Sequence, residues 1–147
     1  MFHVKHILYQ IRKFMYSKKR QLGNIGENVA VQKLRNAGFT ILNRNYLKKW
    51  GEIDIVARGT DGLVHFIEVK SVSRSTFQYK GGIDVTHETF RPEENVTRGK
   101  LVKLERVIQS WLIEHKYEGD WQIDVASVQL DMDRKVGKVE MIWAVPQ

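Results

Sequence analysis

Three side chains near the middle of the chain have the types and spacing to do chemistry together. Asp54 sits within Ile53-Asp54-Ile55-Val56, and Glu68 and Lys70 flank Val69 in Phe66-Ile67-Glu68-Val69-Lys70. Both segments read as β-strands, and a carboxylate inside an apolar strand is costly to bury without a partner. Two facing carboxylates repel, and a divalent cation removes the repulsion. Hard ions such as Mg²⁺ or Mn²⁺ take oxygen ligands, at about 2.0–2.1 Å for Mg²⁺, and keep positions open for water and phosphate. An ion held there polarises a phosphate and helps ionise a water, while Lys70 offsets transition-state charge or orients the water. The chemistry indicated is metal-dependent phosphodiester hydrolysis. The competing reading is an ordinary ion-pair ladder, with Glu52 and Lys70 as a cross-strand salt bridge.

Gathering these groups makes a demand on the turn. With Thr60-Asp61-Gly62 as a three-residue loop and Gly62 left-handed, facing residues have numbers that sum to 122. Asp54 then faces Glu68, Ile53 faces Val69, Ile55 faces Ile67, and Glu52 faces Lys70. Facing Cβ atoms lie roughly 4.5–5.5 Å apart on one side of the sheet, so Glu52, Asp54, Glu68 and Lys70 share one face and the Ile and Val residues line the other. A two-residue turn would separate Asp54 from Glu68.

The surrounding elements must position this hairpin. Residues 1–20 show a basic amphipathic helical pattern, with Val4, Ile7, Leu8, Ile11, Phe14 and Met15 on one face. A second helix is predicted from Gly23 to about Ala37. Glu27 lies on its apolar face with Ala30, Val31 and Leu34, so it is a candidate to reach the same site; the alternative is favourable charge at a helix N-terminus. Strands are predicted over Phe39–Tyr46, Gly51–Arg58 and Leu63–Val72. Residues 73–99 are polar and Gly-rich, with one short strand at Gly82–Val85; a loop this long is commonly functional or flexible. A third helix runs from about Thr97 to His115. Strands Trp121–Leu130 and Val139–Val145 close the chain, joined by the polar turn Asp131–Lys138. This order predicts an α/β (α+β) domain with a mixed sheet flanked by helices over residues 21–147, preceded by an extension over residues 1–20.

Composition bounds the partners. The net charge is +7, from 24 basic and 17 acidic residues, but six of the basic residues and no acid fall within residues 1–20. The remainder is nearly neutral, so any basic surface there must come from clustering. Arg74, Lys80, Arg98, Lys100 and Lys103 are the candidates for phosphate contact. The absence of cysteine excludes disulfides, a thiolate zinc site and a cysteine nucleophile, and fits a reducing cytoplasm. No apolar run is long enough to span a bilayer. The five histidines lack metal-ligand spacing. Ile83-Asp84-Val85 and Ile123-Asp124-Val125 repeat the local pattern of Asp54, but neither precedes a Glu-x-Lys strand; Asp124 reads as a structural or supporting acid.

Asp in one strand, Glu-x-Lys in the next and a glutamate on the preceding helix resemble the PD-(D/E)XK nuclease superfamily. Gly26-Glu27, Gly38-Phe39, Ile41-Leu42-Asn43-Arg44-Asn45-Tyr46, Gly51-Glu52-Ile53-Asp54-Ile55-Val56-Ala57 and Phe66-Ile67-Glu68-Val69-Lys70 resemble, more closely, the YraN-type family of bacterial proteins, related to archaeal Holliday-junction resolvases. The resemblance covers about Gln21 to Leu130. The proline of the superfamily name is absent; Glu52-Ile53 stand before Asp54. The resemblance implies a restriction-endonuclease-like fold and Mg²⁺ or Mn²⁺ held by Glu27, Asp54, Glu68 and the Val69 carbonyl. It also implies branched or processed DNA as substrate and a homodimer. Two other readings stand beside this one. One is a non-catalytic module on the same fold that binds nucleic acid or protein. The other is a peripheral membrane protein that uses residues 1–20, the weaker of the two.

Overall fold

A computed structural model describes residues 20–74, 98–131 and 136–143. Residues 20–36 are helical (α1). The rest runs β1 (Thr40–Lys48), β2 (Gly51–Arg58), β3 (Val64–Arg74), α2 (Arg98–Glu114), β4 (Trp121–Asp131) and β5 (Val136–Ile142). The five strands form one sheet in sequence order. β1–β2, β2–β3 and β4–β5 pair antiparallel, and β3–β4 pair parallel. The helix α2 lies in the crossover that the parallel pair requires. The α+β class and mixed sheet expected from the order of elements are observed. The amphipathic extension before residue 20, the strand at Gly82–Val85 and the side chains of Arg74, Lys80, Arg98 and Lys100 lie outside the described residues.

Helices cover both faces of the sheet, so the central strands are apolar on both sides. On one face Ala30, Val31 and Leu34 of α1 pack on Ile55, Ala57, Ile67 and Val128. On the other, Leu104, Val107, Ile108 and Trp111 of α2 pack on Ile53, Val56, Phe66, Ile123 and Val125. The 3.6-residue periods of the two helices supply these stripes. Gly38, at φ +90°, ends α1, and the Phe39 N–H closes back on the Leu34 carbonyl at 3.0 Å.

The last connection differs from expectation. Asp131–Lys138 reads as a polar turn, but β4 and β5 stay paired out to Asp131–Val136. Ladder hydrogen bonds, which composition does not report, extend the strands into polar sequence.

Candidate functional site

The β2–β3 turn takes the conformation that the candidate chemistry demands. Gly62 is left-handed at φ +84°, and the Gly59 N–H donates to the Leu63 carbonyl at 2.9 Å. Partners from Arg58–Val64 to Ile55–Ile67 follow the expected register.

That ladder then stops, which corrects one expectation. Asp54–Glu68, Ile53–Val69 and Glu52–Lys70 are not ladder pairs. β2 stays with β1 and β3 stays with β4 while the two part from each other. At the point of parting the Val69 N–H donates to Asp54 Oδ2 at 2.8 Å, so a side-chain carboxylate replaces the carbonyl that a continued strand would offer. β1 is irregular at the same place. Arg44–Ile55 and Tyr46–Ile53 are paired, and between them Asn45 has φ +51°. The pleat of β2 reverses here. Ile53 enters the core under α2 and Ile55 the core under α1, although residues two apart in a regular strand share a face. The expectation that the Ile and Val residues line one face and the acids the other does not hold.

Glu27 is buried on the apolar face of α1, as its spacing suggested. Its Oε1 accepts from Arg44 Nε at 2.9 Å and from Asn45 Nδ2 at 3.0 Å. The kinked residue of β1 therefore also fixes the glutamate. Gly26 permits the approach, because a Cβ there would stand 1.8 Å from Ser71 Oγ on β3. On β3, Lys70 Nζ lies 3.0 Å from Glu68 Oε1.

Where the strands part, two hollows open. One, of about 640 Å³, is lined by Glu27, Asn45, Glu52, Asp54 and Val69, with Arg20 and Asn24 from α1. The other, of about 190 Å³, lies against α2 and is lined by Trp50, Glu52, Glu68 and Lys103. Glu52 borders both. The Asp54 carboxyl is pushed up to about 6. Burial is the main cause, the Val69 N–H opposes it, and the negative charges of Glu68, Glu52 and Glu27 add to it. Among the described residues no three Asp, Glu or His side chains already converge as a metal cluster. The exposed Lys103 borders the smaller hollow.

Asp124 is bound up elsewhere, as its sequence context indicated. It is fully buried with His65, Oδ2 lying 2.6 Å from His65 Nδ1, and its Oδ1 accepts from Gln122 Nε2 at 2.8 Å. Sequence reasoning did not foresee three further residues: Arg44 and Asn45, which hold Glu27, and Trp50 at the smaller hollow. An asparagine within a strand was a usable signal, because Asn tolerates the left-handed conformation.

The arrangement defines an α+β domain with a carboxylate-lined cleft where two central strands diverge. By sequence the chain belongs to the uncharacterised protein family UPF0102, whose profile it matches over residues 26–128; this is the family to which the YraN-type resemblance pointed. It is 36% identical over 123 residues to a UPF0102 protein of Helicobacter hepaticus, covering 84% of this chain and 92% of that one. A UPF0102 protein of Campylobacter fetus is 33% identical over 112 residues, covering 76% and 87%. One of Campylobacter jejuni (strain 81-176) is 34% identical over 110 residues, covering 75% and 85%.

Proposed function

We propose that this protein is a Mg²⁺- or Mn²⁺-dependent endonuclease that hydrolyses DNA phosphodiester bonds, with branched or processed DNA as substrate. One observation carries the reading: the β2–β3 ladder ends at Asp54, whose carboxylate takes the Val69 N–H beside the Glu68–Lys70 pair. The donors are hard oxygens, and Asp54 is destabilised as an anion by burial and by three neighbouring carboxylates, a field that a divalent cation reverses. Asp54, Glu68 and the Val69 carbonyl would hold the ion, and Glu27 would do so directly or through water. Two carboxylates suffice, because Mg²⁺ completes its shell with water and phosphate. Once bound, the ion would polarise the scissile phosphate and lower the pKa of a water. The Val69 N–H fixes the Asp54 carboxylate. Lys70 supplies positive charge to the developing phosphorane or orients the attacking water. Arg44 and Asn45 keep Glu27 turned inward. A homodimer and a cytoplasmic location belong to the same reading. Among the described residues, no helix is long and apolar enough to cross a membrane.

The lack of three converging ligands among the described residues favours a second reading, a binding module on the same scaffold. The deciding experiment incubates the protein with Mg²⁺ or Mn²⁺ and linear, flapped and four-way DNA, beside Asp54→Asn and Lys70→Ala. We expect cleavage by the wild type and a loss of roughly a hundredfold or more in each variant, with DNA binding retained. A wild type that cleaves none of these and shows no divalent-ion binding by calorimetry leaves the binding module.

A further inference from the structure

The smaller hollow carries features that the hydrolytic reading does not use. Its rim is the turn at residues 49–50, where Trp50 is 37% exposed although an indole is among the costliest side chains to leave in water. The turn is clamped to α2. Gly51 has φ +155°, and a Cβ there would stand 2.8 Å from Val107 Cγ2. The Arg106 guanidinium lies 5.1 Å from the centre of the Trp50 ring. Arg106 does not line the hollow and Trp50 does, so Trp50 meets the arginine and also borders the cavity. Lys49, next in sequence to Trp50, is exposed, as are Arg106 over the ring and Lys103 at the hollow, and Glu52 and Glu68 also line the cavity.

We propose that this hollow takes an unpaired nucleobase of a DNA strand, stacked on Trp50, with a flanking phosphate against Lys103. The proposal rests on the reading of the protein as one that acts on DNA, and it names the substrate class as DNA with a single-stranded portion. An aromatic ring within a basic rim is how single strands are held without base pairing, since every base has a face to stack. The carboxylate of Glu52 suits the exocyclic amino group of a base such as cytosine. A paired base has no access to a pocket of this kind, because its faces are taken by its neighbours in the duplex. Glu68 borders the hollow and is also a candidate metal ligand, so a base seated here brings its own strand to the proposed hydrolytic centre.

The test is binding in EDTA of a fluorescent oligodeoxycytidine of about eight nucleotides and of a blunt duplex. Wild type, Trp50→Phe and Trp50→Ala are compared by anisotropy and by tryptophan quenching. Trp50→Leu substitutes for the alanine variant if circular dichroism shows that variant misfolded. We expect the single strand to quench wild-type fluorescence. Trp50→Phe keeps most of the affinity without that quenching, and Trp50→Ala loses about fivefold or more for the single strand with duplex binding unchanged. A smaller loss, an equal loss for duplex, or no single-strand binding by the wild type overturns the proposal. Because no metal is present, the outcome is independent of hydrolysis. Trp50-dependent binding without cleavage sinks the nuclease reading alone, and cleavage with Trp50-independent binding sinks the pocket alone.

Discussion

Asp54 works against the fold when it is ionised. Its carboxyl titrates near 6, above the usual carboxylate value, chiefly because it is buried. An acid whose pKa rises on folding binds its proton more tightly in the native state, so this residue's contribution to stability grows as pH falls from about 6 towards 4. Above pH 6 the full penalty applies, at most about 3 kcal/mol. Asp54→Asn keeps an oxygen for the Val69 N–H and removes the charge. We expect it to be more stable than wild type in urea titrations at pH 8, by about 1–3 kcal/mol, with the difference shrinking at pH 4.5. A residue selected for stability would behave the other way, and a stabilising loss of activity is the mark of a strained functional group. That Asp54 is anomalous was readable from its apolar neighbours. That its carboxylate caps the Val69 N–H was not, because the bond joins residues 15 apart across a hairpin whose ladder has just ended.

At the scale of elements, the turn chemistry was legible and the divergence of the strands was not. Gly62 in the left-handed position sets the register through local backbone sterics, which sequence reports well. The break at Asn45 and Asp54 coincides with the bond from Asn45 to Glu27 of α1, a contact between residues 18 apart in the chain. The close approach of α1 to β3 rests on Gly26. The Cβ of Gly26→Ala would meet Ser71 Oγ and Cβ, at 1.8 and 2.8 Å. We expect this variant to lose about 1–3 kcal/mol by chemical denaturation. It should also lose the proposed nuclease activity beyond what unfolding explains, because α1 carries Glu27. Pairing it with Ser71→Gly should restore much of the stability, and the double-mutant coupling measures how tightly the two positions meet. Ser71 Oγ is buried and has no hydrogen-bond partner among the described residues, so its removal carries little penalty of its own.

At the scale of the whole molecule, charge and core are arranged separately. Most of the net +7 resides in residues 1–20, while the described sheet is covered by two apolar cores. If the basic segment contributes to DNA affinity, it does so through released counterions, and the effect depends on salt. Replacing Lys5, Arg12 and Lys13 by Gln should weaken binding alike for all DNA sequences. It should also flatten the plot of log affinity against log salt, by up to about 0.9 for each phosphate that is no longer neutralised. An unchanged slope in fluorescence titrations would assign these charges to another surface. By itself the sequence determined the α+β order, the β2–β3 turn, the apolar faces of both helices and the identity of the unusual acids. Each of these follows from local periodicity, turn sterics or the penalty of a carboxylate in an apolar strand. Only the tertiary structure decided that β2 and β3 part at Asp54, that Arg44 and Asn45 hold Glu27, that Asp124 belongs to His65, and that Trp50 borders a hollow. Those arrangements join distant segments, and their free energies depend on which neighbours the complete fold brings within reach.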